Sequence, residues 1–525
     1  MTLAAIIISA FGLLGKILGY GKEILIAAYW GRGAAVDAFV VVYKTIVFEL
    51  YVKIEKLLRP TYLPIFVARK SEGEDDRAWR YFSVISTFVF VFMTPLVLAA
   101  IIWAPGLIRT LFPGLEMVDL AADMLRISGA ATLLMVLSVM TELTLHSHKE
   151  FTIPALADAT RQFVLFGTIG ALIGFGIYPT GEPEGLKAAA VGVLLGGAAR
   201  LLVQIPAILR RMTTFRPGLD VSNPDVRRMF SLMPPVIVGL LFSLARNYFD
   251  RRFGTDAGEG VVSALNYGRM LADLPTLILP LAVSLVVYPF VSEWASQQDR
   301  KRLADSLVSM TRVMAFIFVP LAVAMMVLAQ PIIATAFERG EFTSEDTVAV
   351  TRALVPYAAG LPFFAVEASI NKWYFALGDT ATPNYAGAVA AVLHILIAGA
   401  GVYAFNRSIG IIAAALSISK GLKVIALYLM LRKRIGAVNR AAIVSFLARL
   451  LIATGIMTAA VAVVANGVGS MVVDAGTIQR LIFLAVVGCS GIVVYLAAAA
   501  VLRIEELTMV TGYVRGKLMK RFGGR

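Results

Sequence analysis

Apolar residues run in long blocks along this chain, and short polar clusters punctuate them. A block of about 20 residues matches a helix crossing a ~30 Å hydrocarbon layer, where backbone N–H and C=O groups must be satisfied within the segment. The pattern predicts an all-α polytopic membrane protein with about fourteen helices. They fall near 3–29, 35–66, 80–104, 120–146, 152–178, 186–210, 225–250, 260–295, 304–336, 346–376, 383–405, 409–431, 441–466 and 479–502. The second and eighth exceed what such a layer requires and are expected to protrude or kink. Pro275, Pro280 and Pro289 supply kink sites in the eighth.

Charged residues interrupt several blocks. Lys16, Lys22 and Glu23 fall in the first and Asp37 and Lys44 in the second; Arg246 and Asp250 close the seventh, and Arg269 lies deep in the eighth. An ionisable group at the bilayer centre costs roughly 2.5–3.5 kcal/mol, so several in one bundle must face each other or water. A wet, basic cavity suited to an anionic cargo is the expectation. For Lys16, Lys22, Lys44 and Arg269 two compatible readings stand: an internal ion pair with Asp37 or Glu23, and contact with substrate. Asp37 either orients a cation or serves as a gate or proton site, the first being preferred. Lys53, Glu55, Lys56 and Arg59 form either the solvated end of the long second helix or part of the cavity. Gly15 and Gly19 make a small-xxx-small contact, which reads first as close helix packing. Lys420 and Lys423, near one turn apart, either extend the basic surface or snorkel to the cytoplasmic headgroups, the second being preferred.

Composition narrows the class. Hydrophobic residues at 59% and a mean hydropathy of +0.80 exclude an ordinary soluble domain. The single cysteine, Cys489, excludes a disulfide framework and a cysteine metal site. A net charge of +14 raises nucleic acid as a partner, but the basic residues sit in short loops on alternate sides of the predicted helices. That distribution reads as topology, with attraction to anionic lipid heads, and places both termini in the cytoplasm. No cleavable signal is expected. His146-x-His148 reads as a loop end, and no metal site is predicted. Glu72 to Asp76 reads as a solvated acidic loop. Residues 504–525 read as a basic amphipathic tail on the inner leaflet.

The chain also echoes itself. Tyr62-Leu63-Pro64 resembles Tyr288-Pro289, and Ala104-Pro105 resembles Gln330-Pro331 with Phe112 and Phe337 following; the paired prolines lie 225 or 226 positions apart. Gly31-x-Gly33 matches Gly258-x-Gly260, and Thr152-Ile153-Pro154 matches Thr382-Pro383. A six-helix unit repeated in the same orientation is implied, with a central site between the lobes. The expected division is an N-lobe over 1–215, a C-lobe over 216–435, two extra helices over 436–503 and the tail over 504–525. The offset also sets Lys44 opposite Arg269 in matching helices.

Several motifs resemble those of the MurJ/MviN lipid II flippase family, part of the wider group that includes MATE transporters. Lys16-Ile17-Leu18-Gly19-Tyr20 with Lys22-Glu23 is similar to that family's Arg-x-Leu-Gly-x-x-Arg-Asp, with lysine for arginine. Gly33-x-x-x-Asp37-Ala38-Phe39 with Lys44, Phe151-x-x-Pro154, Asp250-Arg251, Ser263 to Tyr267 with Arg269, Gly340-x-Phe342, and Gly378-Asp379 with Thr382-Pro383 continue in family order. The resemblance implies a two-lobed flippase working by alternating access on undecaprenyl-diphosphate-linked peptidoglycan precursor in the bacterial inner membrane. It implies Lys16, Lys22, Asp37 and Arg269 as the headgroup cavity and a lipid-tail groove near helices thirteen and fourteen. The chain departs from the family after Lys44, where Thr45 to Glu49 replace a stretch carrying an arginine, with Lys53 as the substitute, and again at Asp158 and Arg161. Another lipid-linked oligosaccharide is the alternative substrate, and a MATE-like cation antiporter the more distant one. An enzyme is not expected. No cofactor is implied beyond coupling to membrane potential or a monovalent ion, and the chain is expected to act as a monomer.

Overall fold

A computed structural model of the chain describes residues 2–277, 279–405, 409–435, 440–469 and 476–509, and every regular element among them is helical. Contacts divide the chain into two compact units, Met1–Ser263 with Arg339–Thr343 and Ala264–Glu338 with Ser344–Arg525. The contact boundary therefore falls one helix beyond position 215. Its physical cause is a fastened linker: the Arg69 guanidinium grips Asp225 at 2.8 and 3.0 Å, and the Arg216 amide donates to Ser83 Oγ.

The first unit opens with α1 (Thr2–Trp30). Gly15 and Gly19 lie against α9 (Thr152–Gly174), where a Cβ on Gly15 would meet the Ala159 backbone at 3.6 Å, so this stripe is a packing surface. The second predicted helix is four pieces: α2 (Ala34–Val40), a π-helical turn over Val41–Val47, α3 (Phe48–Thr61) and α4 (Leu63–Ser71). Then come α5 (Asp75–Ile102), α6 (Ala104–Leu111), α7 (Val118–Ser128), α8 (Ala130–Ser147), α9, α10 (Lys187–Leu209) and α11 (Pro224–Ala257). Helices α8, α9 and α10 pack as a block, with α1 laid on α9 and α11 on α3.

At the seam, α12 (Val261–Asp273) leads into α13 (Leu279–Ser296). The second unit continues with α14 (Arg300–Val327), α15 (Ala329–Phe337), α16 (Ser344–Ala359), α17 (Leu361–Ala376), α18 (Ala381–Ala404) and α19 (Ile409–Ile435). Helices α20 (Arg440–Gly469) and α21 (Thr477–Val501) pair with each other and build a core against α14 around Phe446, Leu450 and Tyr495. The predicted basic tail falls almost wholly outside the described residues.

Ten described helices are long and apolar enough to cross a membrane, and α16 with α17, bent by 42° at Gly360, makes an eleventh. The segments 2–30, 34–61 and 261–296 are not among them, and these carry Lys16, Lys22, Asp37, Lys44, Lys53 and Arg269. Two helix breaks stand 225 residues apart: Trp103 (φ −97°, ψ 22°) separates α5 from α6, and Leu328 (φ −95°, ψ 16°) separates α14 from α15. In each case the short helix is followed or closed by a fully buried phenylalanine, Phe112 or Phe337.

Candidate functional site

Two lysines of the first unit share one carboxylate. Lys22 Nζ lies 2.7 Å and Lys44 Nζ 2.8 Å from Glu23 Oε1. Lys22 and Glu23 are buried, and the Lys22 ammonium also stands over the Tyr43 ring at 4.9 Å. Lys44 reaches this acid from inside the π-helical turn, a wider and rarer turn that recurs at functional sites. Of the two acids open as ion-pair partners, the fold uses Glu23 for both lysines.

Asp37 meets a helix end through its carboxylate. Its Oδ1 accepts the Ser263 amide at 2.6 Å, in the first turn of α12, where an anion meets the positive end of a helix. Around it the same edge is closed by backbone contacts. Arg32 donates to the Glu259 carbonyl at 3.4 Å, and the Glu341 amide donates to the Ala28 carbonyl at 2.9 Å. Gly340 (φ 60°) permits that contact, because a Cβ there would lie 2.1 Å from the Ala28 oxygen. Asp37 thus ties α2 to the chain at Ser263.

The remaining candidates fall into separate places. Lys16 is exposed on α1 beside exposed Leu13 and Ile17. Lys53 is buried, 2.6 Å from Glu49 Oε1 and 2.7 Å from Ser243 Oγ on α11. Arg246 donates to Asn247, whose amide in turn reaches Glu49 at 2.7 Å. In the second unit Arg269 clasps Asp273 at 2.8 Å, one turn on, and stacks over Tyr357 and Phe364. Lys44 and Arg269, set opposite each other by the repeat, therefore each have a local counter-ion.

Lys420 and Lys423 do not snorkel. Their ammonium groups lie 2.5 and 2.6 Å from the carboxylate of Glu367 on α17, opposite the exposed stripe of Ile418, Leu422, Ile425 and Leu429 on α19. A carboxylate at depth outcompetes headgroups because the charge is neutralised without leaving the bundle. The acidic loop is tied down as well, with Glu72 and Glu74 paired to Arg69 and Glu74 to Arg77.

Arg59, Asp158 and Arg161 stand out in the sequence, but the centre of their network, Arg200 with Glu142, does not. Arg200, 1% exposed on α10, lies 2.6 Å from Glu142 on α8 and 2.9 Å from Asp158 on α9, with its guanidinium over Tyr51. Arg59 extends the chain to Glu142 at 3.0 Å, and Arg161 donates to Tyr43 Oη. A lone arginine within the apolar run 187–209 was the available signal.

Two apolar grooves border these clusters. One, of 470 Å³, lies in the first unit, lined by Thr45 and Ile46 of the π turn, Trp103 and Tyr248. The other, of 530 Å³, lies in the second unit between α14, α17, α19 and α20, and α21 contributes nothing to its lining. Both volumes suit a ligand of small-molecule size, ~300–1,000 Å³.

Apolar helices in membrane-crossing number, charged clusters inside the bundles and apolar grooves beside them define a multi-pass membrane transporter. The chain belongs to the MurJ family: the family model described as lipid II flippase MurJ matches residues 26–481. It is 25% identical over 471 residues to the probable lipid II flippase MurJ of Vibrio cholerae, covering 87% of this chain and 88% of that one. It is also 25% identical over 442 residues to the lipid II flippase MurJ of Burkholderia cenocepacia, covering 82% and 84%. In fold it is similar to lipid II flippase MurJ in an inward closed conformation, with a TM-score of 0.76 and 21% identity over 94% of this chain and 98% of that one. An inward-facing MATE multidrug transporter matches with a TM-score of 0.66 and 15% identity, over 82% and 98%.

Proposed function

We propose that this chain translocates lipid II, the undecaprenyl-diphosphate-linked peptidoglycan precursor, across the cytoplasmic membrane by alternating access. Family membership over residues 26–481 carries the reading. The clusters support it chemically. A diphosphate needs cations that are held in a membrane yet able to change partners, and Lys22 and Lys44 on Glu23, with Arg269 on Asp273, meet that need. Lys16 adds an exposed cation, while Lys53 and Arg246, tied to Glu49 and Asn247, support the α3–α11 contact. Asp37 acts as a gate. The groove beside α20 receives the lipid tail. Both termini lie in the cytoplasm, where the basic loops meet anionic lipid heads. The chain works as a monomer, with no nucleic-acid partner and no cofactor. An inside-negative potential favours outward movement of an anion by about 2.3 kcal/mol per charge per 100 mV, and the potential or a monovalent ion resets the empty carrier.

Reconstitution tests this directly. Vesicles holding the protein are expected to move fluorescent lipid II between leaflets, and Lys22→Ala and Arg269→Ala are each expected to slow this by tenfold or more, a loss of about 1.4 kcal/mol or greater. Protein-containing vesicles indistinguishable from empty ones refute the substrate; variants as fast as the parent refute the site.

A further inference from the structure

The 530 Å³ groove of the second unit has one charged residue in its lining, Arg312. The guanidinium is held from three sides. Its face stacks on Phe446 of α20 at 4.8 Å, its Nε lies 2.6 Å from Glu506 Oε1, and its Nη2 lies 3.3 Å from Glu505. Glu506 is fully buried, whereas the Glu505 side chain is 71% exposed. Nη1 has no hydrogen-bond or ion-pair partner among the described residues. A buried acid thus neutralises the Nε side of the fork by charge, without an aligned hydrogen bond, while a second edge stays open. Bulk stability does not require that arrangement, since an exposed pair such as Arg312–Glu505 contributes only about 0–1 kcal/mol.

Depth adds the second constraint. Glu505 follows Val501, the last residue of α21, and the groove wall at this end is Ile443, Phe446 and Leu447, from the beginning of α20. On the orientation proposed above, this is the level of the inner-leaflet headgroups. Beyond Arg312 the lining turns apolar, through Ala315, Val319, Phe363, Val366 and Val424. An amphiphile with a phosphate at the end of a hydrocarbon chain fits both features at once.

We propose that Arg312 is a loading clasp, binding the diphosphate that joins the prenyl chain to the glycan while the first prenyl units enter the groove. The inference rests on the lipid II reading and adds to it a residue away from the charged clusters described above. The bidentate geometry of a guanidinium matches phosphate oxygens, and the open Nη1 edge supplies the first contact. A diphosphate carries enough charge to displace Glu505 from Nη2 and gain the second. Glu506 stays in place, because releasing it would leave a buried carboxylate unpaired.

The test titrates full-length protein in nanodiscs with undecaprenyl diphosphate, undecaprenol and phosphatidylglycerol. Arg312→Gln is expected to weaken diphosphate binding by about tenfold or more, since both charge-assisted contacts lose their cation, and to leave undecaprenol binding unchanged. Glu505→Gln, at an exposed position that the fold tolerates, is expected to tighten diphosphate binding two- to threefold by removing the competitor. Unaltered affinity in both variants overturns the clasp, as does phosphatidylglycerol competing on equal terms with the diphosphate. Parent protein that binds the diphosphate but fails to flip lipid II refutes the functional reading and leaves the clasp standing.

Discussion

Glu23 decides whether Lys22 and Lys44 can remain inside a bundle. Both ammonium groups approach one of its oxygens, and Lys22 is 3% exposed, so the acid offsets much of the desolvation that burial imposes. Removing one partner of such a pair is far more costly than never having built it. Glu23→Gln is therefore expected to lower the unfolding free energy by about 3–5 kcal/mol. Denaturant unfolding in detergent, followed by tryptophan fluorescence, measures it, and a shift below 1 kcal/mol contradicts the account. The same reasoning separates what the sequence discloses from what it hides. Arg269–Asp273 and Lys53–Glu49 are i,i+4 pairs, readable from spacing once the helices are assigned. The choice of Glu23 for Lys44, and of Glu367 for Lys420 and Lys423, joins different helices and depends on their packing register, which no local pattern encodes.

Helices as elements were the most legible feature, because long apolar blocks leave the backbone little choice in a membrane. Their interruptions were less so: the π turn at Val41–Val47 carries no proline or glycine, so nothing in its composition marks it. Where an end does have a side-chain signature, it is testable. Asp379, in the loop before α18, accepts the Thr382 hydroxyl at 2.6 Å and the Thr382 amide at 2.9 Å, with Arg434 at 2.5 Å. The Thr382 donors, hydroxyl then amide, together with the Arg434 charge, hold its carboxyl down at about 2, below the ordinary 3.8. A depressed carboxylate contributes stability above its unfolded value and loses it as pH falls through the folded one. The cap is thus complete above about pH 4 and gone near pH 2. Asp379→Ala is expected to remove about 1 kcal/mol of protection from the first turn of α18. Hydrogen exchange of residues 381–385 should differ between parent and variant at pH 5 and converge as pH drops from 4 towards 2. A difference that persists unchanged at pH 2 excludes the ionised cap.

The duplication gives the molecule a design that neither unit shows alone. Glu142 and Glu367 lie 225 positions apart, the spacing that also relates the breaks at Trp103 and Leu328. In each unit this acid faces a cation on the last helix of its repeat: Arg200 on α10 for Glu142, and Lys420 with Lys423 on α19 for Glu367. An ion pair conserved in position across the repeat, but not in residue type, is what results if charge matching between those two helices is the constrained property. The two braces are not equally exposed to loss. Arg200 also holds Asp158, so Glu142→Gln leaves it a carboxylate, whereas Glu367→Gln removes the acid that both lysines share. Glu367→Gln should therefore destabilise more, by about 3–5 kcal/mol against about 1–3 for Glu142→Gln. The two acids belong to different compact units and their ion-pair partners are disjoint, so the double variant is expected to equal the sum of the singles within about 0.5 kcal/mol. Unfolding of the four proteins in one detergent closes the cycle. An interaction energy above 1 kcal/mol would mean that the units do not carry their braces independently, and equal single effects would mean that Asp158 gives Arg200 no second hold.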